Sequence, residues 1–223
     1  MIYYNTKRQG IVAWLASPEV TVFVLRYRHG GSGYLYPAPF FDAARALRWV
    51  RHYARDYNLD PSRVGVKGAS AGGHLAALVE TRFDQGNDAA ADVIDRESSR
   101  PDFAVLLYPV VSLTDPLLTH AGSRKHLVGE GPNSDARARE LSAETVVPPT
   151  TPPTFIVYGG DDTTTPPANG AILYLALKHA GIKTEAHFFE TGPHAFGVPT
   201  KDPVLAAWQG LLDSWLIRHG VFR

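Results

Sequence analysis

The chain has 223 residues, 44% of them hydrophobic, with 22 basic residues against 22 acidic ones and no cysteine. That is the size and composition of one globular domain, not of a disordered or low-complexity chain. Zero net charge excludes the basic footprint of a dedicated nucleic-acid binder, no apolar run reaches the roughly 18 residues of a membrane-spanning helix, and the lack of cysteine removes disulfides, thiolate metal sites and cysteine nucleophiles.

The N-terminus, MIYYNTKRQG, has no charged n-region followed by an apolar h-region. The chain as given therefore shows no secretion signal and is expected in the cytoplasm, secretion staying open if the N-terminus is incomplete. Residues 9–17 have the apolar spacing of a helix that Pro18 ends. Residues 20–27 (VTVFVLRY) are β-branched and aromatic, the nearly continuous apolar run of a strand covered on both faces. Over 39–57 an amphipathic helix places Phe40, Ala44, Leu47, Val50 and Tyr53 on one face, with Arg45, Arg48, Arg51 and Arg55 between them. Asn58 to Pro61 break it, and Arg63 to Val66 make a short strand.

Further strands fit 103–109, 154–159 and 184–190, and helices fit 71–82, 168–180 and 203–219. Strands separated by helices of this length imply right-handed crossovers and a parallel sheet. Two stretches depart from the alternation. Residues 84–101 are polar and acidic and read as a surface excursion. The proline-rich stretch 112–153 has one helical patch, around Ser134 to Leu141. A loop that long inside a compact domain is functional or mobile, so about 112–150 reads as a lid-like or substrate-facing insertion in a single domain, 1–223, with a linker as the plainer alternative.

The chemistry concentrates at Gly68-Ala69-Ser70-Ala71-Gly72, a G-x-S-x-G with a strand before it and a helix after it. A serine on so sharp a strand-to-helix turn has no room for neighbouring side chains, and glycine two positions to either side lets the turn close. The helix beginning after Ser70 points its positive end and free N–H groups at a reacting oxygen, which makes the Ala71 N–H one oxyanion donor. The plainer reading is a tight turn in which serine is merely small.

Such a serine needs a base, and the base an orienting carboxylate. Of nine histidines, His194 lies in a glycine-flanked turn, Gly192 to Gly197, directly after the last strand, at the same sheet edge as the elbow. His187 sits inside a strand, and His52, His179 and His219 fall on helix patterns, as structural or surface residues. His74 packs near the elbow on its helix side. His120 and His126 belong to the insertion, within reach of a substrate or simply solvated. The turn after the preceding strand, Tyr158-Gly159-Gly160-Asp161-Asp162, offers two carboxylates that both qualify by position, with helix capping as the alternative role. The order Ser70, Asp, His194 is that of α/β-hydrolases.

The chain resembles the α/β-hydrolase esterases grouped with acetylxylan esterases and bacterial feruloyl-type carbohydrate esterases, from about residue 10 to the C-terminus. The resemblance rests on Tyr36-Pro37-Ala38-Pro39 with Asp42-Ala43, on Asp60-Pro61-Ser62-Arg63-Val64-Gly65-Val66, on Gly68 through Ala76, on Ser99-Arg100-Pro101-Asp102-Phe103 and on Thr151-Pro152-Pro153-Thr154-Phe155. It implies an α/β-hydrolase fold with helices on both faces of a mostly parallel sheet. Aligned by Pro166, it puts Asp162 in the catalytic place, with Asp161 as a neighbour and His194 as the base. The implied activity is hydrolysis of short acyl esters, often acetyl groups on sugars, with no metal and no cofactor.

The chain departs from this pattern at its start. The family carries further strands before residue 10, ending in a glycine-rich oxyanion loop, and residues 1–9 contain no glycine and are too few for them. The absent strand would lie between those matching 20–27 and 63–67, which implies a gap, a direct pairing of the two, or a slot filled by another chain. An apolar strand with an open edge at 20–27 invites a homo-oligomer. Gly30 or Gly31, in His29-Gly30-Gly31-Ser32-Gly33, is a candidate second oxyanion donor, although the likeness to the oxyanion motif is the more readily accidental. Tyr34 and Tyr36 are candidate substrate contacts, and Lys67 is a charge where the elbow strand calls for an apolar residue.

The reading that results is a serine esterase of small-molecule or carbohydrate esters, with no nucleic-acid or membrane partner. Two others stand beside it. One is an inert hydrolase fold serving in binding or assembly, motivated by the missing oxyanion arm. The other is a serine peptidase of the prolyl-oligopeptidase type, which lacks the propeller such enzymes usually have.

Overall fold

The computed structural model describes residues 2–3, 14–16, 20–197 and 202–221. Six parallel strands form one sheet: β1 (Ile2–Tyr3), β2 (Phe23–Val24), β3 (Val66–Ala69), β4 (Ala104–Leu107), β5 (Thr154–Gly159) and β6 (Thr184–Phe189), in the order β2-β1-β3-β4-β5-β6. Every residue of β3, β4 and β5 is buried, as parallel strands covered on both faces require.

Alternation along β5 shows what covers each face. Thr154 donates its hydroxyl to Glu80 of α2 (Ala71–Thr81), and Tyr158 packs against Gly170 of α5 (Ala168–His179). Phe155, on the opposite face, meets Trp215 of α7 (Trp208–Arg218), which follows the short α6 (Pro203–Ala206). Helices thus lie on both sides, and the expected α/β-hydrolase architecture is present.

The expected gap in the sheet is not there. Ile2 and Tyr3 occupy the slot between β2 and β3, in register with Phe23 and Val24 on one side and Val66 and Lys67 on the other. The chain's own N-terminal residues fill the place assigned to a missing strand or another molecule. Of the helix expected over 9–17, residues 14 and 15 are helical, and 9–13 and 17 lie outside the described residues.

The strand expected over 20–27 is also corrected. Phe23, Leu25 and Tyr27 pack inward against Leu47, Val50 and Leu75, while Val24 is 46% exposed and Arg26 is exposed. Among the described residues it is a half-buried edge strand, its Phe23, Leu25 and Tyr27 face covered by α1 (Ala38–His52) and Val22 on the other face against the main core, and pairing is registered over two residues.

The arginines of α1 are not a plain solvated face. Arg45 reaches Asp92 and Asp95, Arg48 reaches Asp84, and Arg51 reaches the Ser98 and Arg100 carbonyls and Asp102. The excursion over 84–101 is therefore strapped across this helix. The 112–150 stretch is packed rather than a linker: α3 (Ala121–Val128) and α4 (Ser134–Glu140) bury Val128 and Ala138 with Leu113 and Leu141 against Leu78 of α2. The short helix foreseen near Ser134 is α4, whereas α3 carried no recognised periodicity.

Candidate active site

Four turns at the carboxyl edge of the sheet converge. After β3 the chain reverses at Ser70, whose φ of 54° and ψ of −125° are strained for a residue with a Cβ. The turn closes only because Gly68 is bare: a Cβ there would lie 2.0 Å from the Gly72 carbonyl oxygen. Gly73 similarly lets α2 approach Pro109, which a Cβ would meet at 2.9 Å. Ala71 is the first residue of α2, so its N–H has no acceptor within the helix.

His194 and Ser70, 124 positions apart in the chain, meet at 2.9 Å between Nε2 and Oγ. On its other side, His194 Nδ1 lies 2.7 Å from Asp162 Oδ2. Asp162 is 3% exposed and well satisfied: its Oδ1 accepts from the Thr164 and Thr165 N–H groups at 3.0 and 2.8 Å. Burial pushes its pKa up, but the bonds from His194 and from the Thr165 N–H and hydroxyl outweigh burial and hold it below the ordinary carboxylate value.

Asp161, the other carboxylate of the turn, faces away from the imidazole. Its Oδ2 accepts from the Gly192 N–H at 3.0 Å and ties the two turns together. Gly159 and Gly192 come so close there that a Cβ on Gly159 would lie 2.4 Å from the Gly192 oxygen.

Two neighbours escaped sequence reasoning. The Thr165 hydroxyl sits 2.9 Å from Asp162 Oδ2, 3.0 Å from His194 Nδ1 and 3.2 Å from the Tyr108 carbonyl oxygen. The Tyr108 ring stands edge-on to His194 with centroids 5.0 Å apart, on a backbone with φ of 37°. Thr165 precedes Pro166 and reads in sequence as turn filling. Tyr108 reads as the end of a buried strand.

A cavity of about 340 Å³ opens beside Ser70, lined by Ala71, Tyr27, Pro39, Leu75 and Leu127 and by four histidines, His29, His74, His120 and His126. The insertion reaches this cavity through α3, which contributes Gly122, Ser123, His126 and Leu127 to its lining. Tyr34 and Tyr36 do not line it. Tyr34 is exposed under the Arg28 guanidinium, and Tyr36 packs with Phe40, its N–H donating to the Leu127 carbonyl.

Gly31 is corrected as an oxyanion donor, because its N–H is already given to His29 Nδ1 at 3.1 Å. Gly30 lines the cavity, wedged so tightly against His126 that a Cβ would lie 2.3 Å from that residue's carbonyl oxygen. Tyr3 pairs with Lys67, three positions before Ser70, so β1 ends beside the elbow; the residues following it lie outside the described residues.

Three further histidines contact other side chains: His187 pairs with Glu185, His52 lies near Glu97, and the His219 ring is tilted against Trp215 with centroids 4.4 Å apart, while His179 is exposed. His74 is buried on the helix side of the elbow, with Nδ1 2.9 Å from the Val110 carbonyl, and burial lowers its pKa to about 4. Lys67 is buried within β3. Among the described residues no group of three or more His, Cys, Asp or Glu side chains could hold a metal ion, and no helix is long and apolar enough to cross a membrane.

The BD-FAE family model matches residues 4–177, from just after β1 through the elbow and the acidic turn into α5. The chain belongs to the BD-FAE family. It is 31% identical over 192 residues to an acetylxylan esterase of Xylanibacter ruminicola, covering 84% of this chain and 36% of that one. Over 176 residues it is 33% identical to endo-1,4-beta-xylanase B of Butyrivibrio fibrisolvens, covering 79% and 27% respectively. The chain thus spans only about a third of the length of these curated relatives. Among solved structures it is similar to an acetyl ester-xyloside bifunctional hydrolase from Caldicellulosiruptor lactoaceticus, with a TM-score of 0.93 at 38% identity, over 100% of this chain and 84% of that one. A carboxylesterase from Lactobacillus plantarum, with a TM-score of 0.78 at 21% identity over 100% and 86% of the two chains, shares the fold.

Proposed function

We propose that this BD-FAE protein is a serine esterase that removes short acyl groups, acetyl above all, from carbohydrate esters. The observation that carries the reading is the continuous relay Ser70 Oγ–His194 Nε2 and His194 Nδ1–Asp162 Oδ2, at 2.9 and 2.7 Å, beside a ligand-sized cavity. The names of the relatives supply the acyl and sugar classes.

In this reading Ser70 Oγ attacks the ester carbonyl carbon as its proton passes to His194 Nε2. The resulting oxyanion is held by the Ala71 N–H at the positive end of α2, and Asp162, kept ionised, stabilises the imidazolium. Collapse breaks the carbonyl carbon–alkoxy bond, and His194 returns its proton to the departing alcohol. Water, deprotonated by His194, then attacks the acyl-serine, and the free acid leaves with Ser70 restored. No metal or redox partner enters these steps.

The inert alternative rests on the missing oxyanion arm; Ile2 and Tyr3 fill the slot in the sheet that precedes it, and labelling of Ser70 separates the two readings. Among the described residues β2 has no partner on its outer edge, which is where a second copy would add, a reading that a solution mass of one chain would end.

The test is labelling by a fluorophosphonate probe, read by mass spectrometry, alongside p-nitrophenyl acetate hydrolysis. Stoichiometric modification at Ser70 is expected, with turnover falling about a millionfold in Ser70→Ala. A folded protein that stays unlabelled, or equal rates for both proteins, overturns the esterase reading.

A further inference from the structure

The cavity beside Ser70 is far larger than an acetyl group needs, and its outer wall is built from two segments locked together. One is the 3₁₀ turn Gly30–Ser32, the other is α3, and Gly30 and His126 meet in backbone contact between them. Each segment is capped by a histidine. His29 Nδ1 accepts the Gly31 N–H at 3.1 Å, and His120 Nδ1 accepts the Ser123 N–H at 3.1 Å.

A neutral imidazole that accepts on Nδ1 carries its proton on Nε2. Both rings therefore carry their proton on Nε2, and both residues line the cavity. Gly31 and Gly122 leave room beside these rings: a Cβ on either would lie 3.0 or 3.2 Å from the neighbouring Cε1 and crowd it. The same cavity is lined by the apolar surfaces of Tyr27, Pro39, Leu75 and Leu127.

We infer that His29 and His120 are specificity-determining residues that hold the sugar portion of the ester, each donating Nε2–H to a hydroxyl or ring oxygen. A sugar ring suits this cavity because it presents C–H groups to the apolar lining and oxygen acceptors at its rim. A plain alkyl or aryl alcohol meets the apolar lining and leaves two donors unanswered, a cost of the kind that discriminates strongly between ligands. This assignment rests on the esterase reading for its orientation toward Ser70, but not for the binding itself.

Asparagine separates the two roles of each ring. In His29→Asn and His120→Asn the side-chain oxygen can still accept the capping N–H, while the Nε2–H is gone. For each variant, kcat/KM is measured for a mono-O-acetylated xylo-oligosaccharide and for p-nitrophenyl acetate. The sugar-to-nitrophenyl ratio is expected to fall about fivefold per variant, with a larger fall in the double variant.

A ratio within twofold of the parent in both variants overturns the proposal, as does a parallel loss on both substrates. Binding of the same oligosaccharide to Ser70→Ala, followed by calorimetry with and without the asparagine changes, supplies a readout that needs no turnover. Affinity lost there supports the assignment even if the esterase reading fails, and affinity unchanged ends it.

Discussion

At the scale of single residues, Asp161 and Asp162 are adjacent carboxylates with separate contacts. Asp162 faces His194, and Asp161 holds the backbone of the turn that carries His194. Their sequence positions qualify both equally, and only the resemblance aligned on Pro166 favours Asp162. The distinction is one of side-chain direction, which a turn with no repeating period does not encode. Thr165 was illegible for the same reason, since its role depends on a hydroxyl reaching two turns at once. Asp162→Asn is expected to lower kcat for p-nitrophenyl acetate by about 10⁴, because an amide cannot stabilise the imidazolium and favours the wrong tautomer. Asp161→Asn keeps an acceptor for the Gly192 N–H and should cost less than about tenfold. Steady-state kinetics on both variants decide the matter, and a larger loss in Asp161→Asn would reverse the assignment.

At the scale of elements, the nucleophile turn was legible because its geometry imposes sequence. Gly68 and Gly73, on either side of Ser70, sit where a Cβ would collide, and the flanking segments read as strand and helix. The strand at 20–27 misled, since VTVFVLRY has the composition of a buried strand while its place at the edge leaves Val24 and Arg26 exposed. No local pattern reports which end of a sheet a strand will occupy. The insertion helix α3 was missed because its sequence, AGSRKHLV, buries only Val128. Gly68→Ala tests the tightest point of the elbow. With 2.0 Å to the Gly72 oxygen, the new methyl must push the turn open, which costs about 1–3 kcal/mol as overpacking usually does. Denaturant titration should show that loss, and the rate of fluorophosphonate labelling should fall with it. A midpoint and labelling rate equal to the parent's would mean the elbow has slack that its close contacts deny.

At the scale of the whole molecule, the neutral charge balance hides a buried acid, Glu80, that no motif or spacing marks. Glu80 lies on α2, whose residues from Gly73 to Thr81 are all buried, so its carboxyl is carried into the core between helix and sheet. Burial raises its pKa from 4.5 to about 8, the Thr154 hydroxyl bond pulling weakly the other way. One oxygen, Oε1, has no hydrogen-bond partner among the described residues. Such a group ionises near pH 4.5 in the unfolded chain and near pH 8 in the folded one. Unfolding therefore releases a proton between these values, and stability falls as pH rises through that window, levelling off above it. Glu80→Gln replaces the protonated carboxyl with a neutral group of the same shape that still accepts from Thr154. Its advantage over the parent in Tm should be smallest near pH 4.5 and grow steadily to pH 8.5. Differential scanning calorimetry across that range reads the difference directly, and two parallel Tm profiles would show that Glu80 is ionised in the core.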